Sequence, residues 1–397
     1  MIRRSSRRRG SCMTNDDDLL REILFRLPPR PSSLPRASTV CKRWRGLVTD
    51  PKFLRGFYAH HRKPPLIGVF NDRDPDRVAF RAILGRPDRI PPQRFDLRRH
   101  GVETDSRSST RLLGCRHGRV LLMDHVRTEL VVCAPVTGEQ HRVHVRPDLM
   151  MGFLNGAVLC AAGHLGHVQG DCHSSPFKMV LVWRKDNRPT ARVYSSKTAT
   201  WGNLITTTDR CELVDANPGI LVGDALYWSP RSVDDPRIPF FNLDGATDNI
   251  IEFDLDRQSL AVIKGPPGLN ESRNHQIIQA ENGAVGLAIL SHGRVEMWQR
   301  KVSSNGGATW LLHMTVKMHT ILGITHNERL IGAMELLGYD EDNGVMFLYA
   351  AAYVYMVPLM SMQPRKLYLS HSTNKCHPFT SFYAPVIRGG CGGAEML

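Results

Sequence analysis

The sequence of 397 residues has nine cysteines, an odd number, and no two of them form a CxxC pair. That leaves a zinc ribbon or a thioredoxin-like redox centre without support and fits free thiols in a reducing compartment. The sequon Asn270-Glu271-Ser272 then has no glycosylation to receive. No apolar stretch near the N-terminus has the form of a secretory signal. The longest uncharged apolar run, Val345–Met360, has sixteen residues, short of the roughly 20 that a spanning helix needs. Its Tyr, Val and Phe content and Pro358 read as two buried strands. GxSxG, HExxH and GxxxxGK[ST] are all absent, so nucleophile-elbow, zincin and P-loop chemistry have no support. The expectation is a non-catalytic protein of the nucleus and/or cytoplasm, with no membrane segment, no cofactor and no metal.

Acidic residues are scarce in one part of the chain only. Residues 1–100 hold 24 Lys/Arg against 10 Asp/Glu, whereas the remaining 297 hold 28 of each. A neutral body does not read as a phosphate-binding platform, and nucleic acid is not an expected partner. Part of the excess lies in Arg3, Arg4, Arg7, Arg8 and Arg9. Residues 1–12 read as a disordered basic tail, with nuclear import as the alternative.

Metal-binding patterns are nearly as scarce. His164-x-x-His167-x4-Cys172-His173 places four soft ligands close together, but Gly163, Gly166 and Gly170 read as a plain loop between structural repeats. Asp340-Glu341-Asp342-Asn343-Gly344 lacks the spacing of an EF-hand and reads as a hairpin corner. His125, His141 and His144 show no carboxylate or cysteine companion in the sequence.

What the N-terminal part does contain is helical periodicity. Asp16–Asp18 supply an N-cap and negative charge where a helix begins. Leu19, Leu20, Ile23, Leu24 and Leu27 recur at helical spacing, and Pro28-Pro29 stop the run. Ser33 can cap a second helix, along which Ala37, Val40, Cys41, Trp44 and Leu47 form one stripe. Asp50-Pro51 starts a third, with Phe53, Leu54 and Phe57. Three helices in about forty residues cannot bury this apolar surface among themselves, which implies a partner.

Leu19-Leu20-x-Glu22-Ile23-Leu24-x-Arg26-Leu27-Pro28, followed by Leu34-x-Arg36-x-x-x-Val40-Cys41-Lys42-x-Trp44-Arg45-x-Leu47 and Asp50-Pro51-x-Phe53, resembles an F-box in the form typical of a large plant family. The resemblance implies an F-box domain over residues 13–58 that docks on the Skp adaptor of a cullin-based ubiquitin ligase. It makes the exposed members of Leu19, Leu20, Ile23, Leu27, Pro28, Leu34, Val40 and Trp44 the adaptor-binding candidates, while others of this set hold the helices together. The family places Leu-Pro just before the acidic residues, where this chain has Met13-Thr14. A ligase-independent interaction scaffold with a weakened F-box is therefore the alternative.

After a basic hinge at residues 59–63, short apolar runs alternate with Gly/Asn/Asp/Pro turns, and no long amphipathic helix appears. Candidate strands are Leu66–Phe70, Val120–Met123, Leu130–Cys133, Met179–Trp183, Ala191–Tyr194, Ala225–Trp228, Ile250–Asp254, Val285–Ile289, Val295–Trp298, Val345–Ala350 and Tyr353–Val357. Asn282-Gly283 and Asn343-Gly344 signal hairpins. Such a pattern means a sandwich, barrel or propeller.

Internal echoes favour the propeller. Ser195-Ser196 to Trp201 recurs as Ser303-Ser304 to Trp310, and His117-Gly118-Arg119-Val120 recurs as His292-Gly293-Arg294-Val295. Trp183, Trp201, Trp228, Trp298 and Trp310 read as core between blades. The string Leu113-Gly114-Cys115-Arg116-His117-Gly118-Arg119-Val120, with Leu226-Tyr227-Trp228, Leu337-Gly338-Tyr339-Asp340 and Ser381-Phe382-Tyr383 after it, is similar to the plant F-box-associated domain. That resemblance implies a kelch-like β-propeller of roughly six to eight blades over residues 64–388, closed by pairing of Leu66–Phe70 with Phe379–Tyr383. Residues 389–397 read as a flexible tail. The expected architecture is thus multidomain: a small all-α F-box of three helices, then an all-β propeller that holds a target protein.

Overall fold

The computed structural model describes residues 15–74, 77–97, 110–146, 154–161, 172, 175–186, 188–211, 217–229, 248–269, 274–304, 307–324, 334–371 and 373–383. The tails assigned to residues 1–12 and 389–397, the Met13-Thr14 position and the end of the propeller at 388 lie outside these residues.

The N-terminal unit consists of α1 (Asn15–Phe25), α2 (Ser33–Ser38), α3 (Lys42–Val48) and α4 (Pro51–His61). The stretch read as one second helix is thus two short ones. Ser38 Oγ donates to the Pro35 carbonyl at 2.6 Å and Thr39 Oγ1 to the Arg36 carbonyl at 2.7 Å, local bonds that compete with the helical ladder. Cys41 then turns extended and its sulfur accepts from the Trp44 N–H, so it caps α3 rather than lying inside a longer helix. Asp50 and Pro51 start α4 as expected, the Asp50 carboxylate accepting from the Lys52 N–H at 3.0 Å. Helix α4 runs to His61, so the first residues of the expected hinge are its last turn.

The rest is an all-β propeller of six blades. Blade one joins β1 (Leu66–Asp74) and β2 (Arg77–Ala82) to β24 (Cys376–Thr380), in the order β2-β1-β24. Blade two is β3 (Thr110–Arg116), β4 (Arg119–Asp124), β5 (Glu129–Ala134) and β6 (Glu139–His144). Blade three is β7 (Leu154–Cys160), β8 (Phe177–Lys185) and β9 (Arg188–Ser195), with β10 (Thr200–Trp201) and β11 (Ile205–Thr206) both on the outer side of β9. Blade four is β12 (Ile220–Val222), β13 (Ala225–Trp228), β14 (Asn249–Asp254) and β15 (Ser259–Lys264). Blade five is β16 (His275–Gln279), β17 (Val285–Ser291), β18 (Arg294–Val302) and β19 (Ala308–Lys317); the short α5 (Met318–Leu322) follows it. Blade six is β20 (Glu335–Asp340), β21 (Val345–Ala350), β22 (Tyr353–Pro358) and β23 (Arg365–Leu369).

The ring closes as the paired apolar segments at its two ends require. Strand β24 pairs antiparallel with β1, with Gly68 opposite Phe379 and Phe70 opposite His377. The C-terminal strand therefore supplies the innermost strand of the blade that opens the ring, and no sheet edge is left at the seam. Phe70, Phe80, Phe95 and Phe379 form an aromatic cluster across that seam.

The echoes have two different meanings. Ser195–Trp201 and Ser303–Trp310 both span the hairpin between the third and fourth strands of a blade, and Trp201 and Trp310 both pack on blade cores. The His-Gly pairs instead mark a shared turn chemistry, His117 and His292 both near φ +50° and Gly118 and Gly293 both at φ +71°. One joins β3 to β4 and the other β17 to β18, which are different positions in their blades. Only the first echo is a blade repeat. Residues 162–171, read as a loop between repeats, fall between β7 and β8 of a single blade.

Candidate functional site

Helix α1 carries two apolar faces. Leu20 and Leu24, one helical turn apart, are buried and pack with Leu34, Ala37, Val48, Phe53 and Phe57. Leu19 and Ile23, also four residues apart, point outward and stay 60% and 48% exposed. Val40, between α2 and α3, is 61% exposed. Pro28 is exposed, and Leu27 and Trp44 are half-buried on the edge of the helical core.

The structure thus divides the eight adaptor-binding candidates. Leu19, Ile23, Pro28 and Val40 present surface, Leu27 and Trp44 present part of theirs, and Leu20 and Leu34 belong to the interior. An exposed salt bridge between Asp17 and Arg43 links α1 to α3.

The helical unit sits firmly on the ring. Tyr58 of α4 stacks on Phe382, just past β24, with ring centroids 4.4 Å apart at 21°. Phe382 is buried among the F-box helices and belongs to their core. Asp88, in the segment after β2, accepts from the Ser32 N–H at 3.1 Å and from Ser32 Oγ at 2.6 Å. Neither contact could be found from sequence spacing, since each joins residues far apart in the chain.

The axis of the ring is shut on the face that carries the helices. Arg116, at the end of β3, is buried and pairs with Glu341, in the turn after β20. Its Nη2 also donates to the Gly219 carbonyl at 2.9 Å, and Glu341 Oε2 accepts from the Leu221 N–H at 2.6 Å. Blades two, four and six are tied together over the axis by one ion pair. Burial alone would lower the Arg116 pKa, but the charge of Glu341 and its hydrogen bonds reverse that and raise it.

Next to this pair, Asp340 accepts from the Asp342 N–H and from Asn343 Nδ2, which makes the hairpin corner expected of this segment. Burial, followed by the nearby Asp342 charge, pushes Asp340 up to about 7. The axial cavity lined by Gly114, Gly156, Gly219, Gln276, Gly338 and Pro378 has a volume of about 40 Å3, room for very little beyond water.

Of the histidines read as lacking companions, His144 lies 3.3 Å from Glu129, its cross-strand neighbour, and His141 lies 3.0 Å from the Tyr194 hydroxyl. Cys172 is buried; the rest of the His164–His173 segment lies outside the described residues. Among the described residues, no group of three or more His, Cys, Asp or Glu converges as a metal site, and no helix is long and apolar enough to cross a membrane.

A helical adaptor-type module fused to a six-bladed β-propeller defines the class: this is an F-box protein with a propeller. The F-box domain family matches residues 16–56. Residues 111–387 match the family described as "F-box protein AT5G49610-like, beta-propeller", and the chain belongs to that family. The matched propeller segment begins inside β3, so β1 and β2 of the closing blade precede it.

No curated protein sequence matches the chain. Among solved structures, the nidogen/laminin complex is similar at 12% identity and a TM-score of 0.39, covering 78% of this chain and 95% of that one. A protein of unknown function from Bacteroides caccae is similar at 8% identity and a TM-score of 0.40, covering 79% and 98%. Hydrazine synthase of Kuenenia stuttgartiensis is similar at 9% identity and a TM-score of 0.39, covering 74% of each chain. Likeness at this level says nothing about activity.

Proposed function

We propose that the chain is the substrate-recognition subunit of a Skp–cullin–F-box ubiquitin ligase. It binds the Skp adaptor, and through it a cullin scaffold, with the F-box, and a target protein with the propeller. The observation that carries this reading is the outward apolar face of α1, where Leu19 and Ile23 stay exposed although Leu20 and Leu24 of the same helix are fully used in the core. F-box domains in general bind Skp-type adaptors, and an apolar stripe of this kind is what a helical partner covers.

The chain performs no bond chemistry in this role. It holds two binding sites on one packed body and so raises the effective concentration of target lysines at a ubiquitin-charged conjugating enzyme. The Tyr58–Phe382 stack and the Ser32–Asp88 bonds fix the distance between those sites. A kelch-like blade character and a plant origin belong to the same reading and rest on the order of the sequence motifs. So does residence in the nucleus and/or cytoplasm: deleting residues 2–10 of a tagged chain should shift it from nucleus to cytosol if the arginine run is an import signal.

Co-purification tests the central point. The full chain, co-expressed with a Skp adaptor, should elute with it as one complex and bring down a cullin when that is added. A chain that folds but elutes without the adaptor would be the ligase-independent scaffold instead.

A further inference from the structure

A cleft of about 470 Å3 opens on the face that carries the F-box, where blades two, three and four meet the chain leaving α4. Its floor is apolar and comes from Leu159, Val180, Val193, Leu221 and Phe253, residues that pack in the core between blades three and four. Its rim is polar and mostly of one sign, with Arg62, Lys63 and Lys178 facing a single carboxylate, Asp256. His117 stands at the same rim, its Nδ1 accepting from the Cys160 N–H at 3.3 Å.

Three features point to a ligand. Arg62, Lys63 and Lys178 are exposed and have no ion-pair partner among the described residues, so their charge is available. Arg62 ends α4 at φ +60° and ψ −38°, a backbone conformation that glycine adopts at far lower cost. An arginine held there places a cation beside the cleft. Finally, the volume lies in the range of binding pockets, whereas the axial cavity does not.

We propose that this cleft docks an acidic linear segment of a target polypeptide, with apolar side chains on the floor and carboxylates against Arg62, Lys63 and Lys178. The assignment rests on the substrate-recognition reading and names its docking site and the chemistry of its partner. The cation excess selects acidic over neutral or basic segments, and the apolar floor selects against fully charged ones. The open rim suits an extended chain rather than an enclosed small molecule.

Random seven-residue peptides displayed on phage and selected on the full chain test this. The expected result is enrichment of peptides that combine Asp or Glu with Leu, Ile, Phe or Trp. Their synthetic forms should bind at least tenfold more weakly to the pair Lys63→Glu and Lys178→Glu, and more weakly in high salt. The milder pair Lys63→Gln and Lys178→Gln should lie between and serves if the reversal disturbs folding. Lys185→Glu, at the other end of β8, should change nothing.

No enrichment, enrichment of neutral peptides, or equal binding by the reversed pair would overturn the proposal. Saturable binding of 4-phenylbutyrate without any peptide would also overturn it, in favour of a small-molecule site. Adaptor co-purification, measured on the same variants, reports separately on the ligase reading. A cleft that fails while adaptor binding persists removes only this site.

Discussion

Tyr58 and Phe382 stack face to face across the boundary between the helical unit and the ring, although one ends the F-box and the other follows the last propeller strand. The F-box core is therefore not made from F-box residues alone. Phe382→Ala should lower the stability of the whole chain by about 3–5 kcal/mol, the usual cost of emptying a buried phenylalanine site. Far-ultraviolet circular dichroism on heating should show the helical signal lost ahead of the β signal. A single unchanged transition would mean that the stack contributes nothing to joining the two units.

The two faces of α1 should separate by experiment. Leu19→Ala with Ile23→Ala should leave the melting temperature within a degree or two of the parent chain but weaken adaptor capture at least tenfold. Leu20→Ala should do the reverse at first, costing about 2–5 kcal/mol of stability through a core cavity. Calorimetry and adaptor pulldown on the same samples decide it. Full adaptor binding by the Leu19/Ile23 variant would place the docking surface elsewhere on the F-box.

Over the axis, Glu341→Gln should leave the buried Arg116 guanidinium without its counter-charge and cost about 3–5 kcal/mol, as breaking one side of a buried pair does. Replacing both residues together, Arg116→Met with Glu341→Leu, should recover much of that loss. Chemical denaturation of the three chains forms the test, and equal stability of the single and double variants would refute an energetic coupling.

Asp340 should give the fold an alkaline weakness. Its folded pKa of about 7 stands above the ordinary carboxylate value of 3.8, so the folded chain holds this proton more tightly than the unfolded one. The contribution is complete below about pH 4 and is lost as pH rises through about 7, an effect of a few kcal/mol in size. Asp340→Asn should remove this component, so that its stability between pH 5 and 8 falls less than that of the parent. Parallel slopes for the two chains in that window would contradict it.

How much of this was legible in the sequence depends on where each strand lies in its blade. The eleven candidate strands read from apolar runs all coincide with second or third strands: β1, β4, β5, β8, β9, β13, β14, β17, β18, β21 and β22. These are paired on both sides, and β4 and β5 are buried along their whole length, so each carries at least a short apolar run that the sequence shows. The innermost strands, apart from β24, which the closure of the ring already called for, escaped because they are short or carry glycine and polar residues near the axis. Gly338 lies so close to β24 that an added Cβ would meet the Cys376 carbonyl at 2.1 Å. The outer strands escaped because β19 and β23 are largely exposed and mix polar with apolar residues, leaving no long apolar run to mark them. The F-box surface was legible as a pattern, but which leucine of the Leu19-Leu20 pair faces out depends on packing that only the assembled helices reveal. Arg116 with Glu341, and Ser32 with Asp88, joined positions too distant for any spacing rule.

Because Phe382 lies at the far end of the propeller sequence, the order of synthesis matters to the helical module. The F-box is translated before the propeller, yet one of its core side chains follows β24 and is translated after the described blades. Until β24 has slotted in beside β1, the ring is open and Tyr58 has no ring to rest on. A nascent or prematurely terminated chain would thus display a helical module with an incomplete interior. In such a chain the helical module is made before the blades but completed only after them.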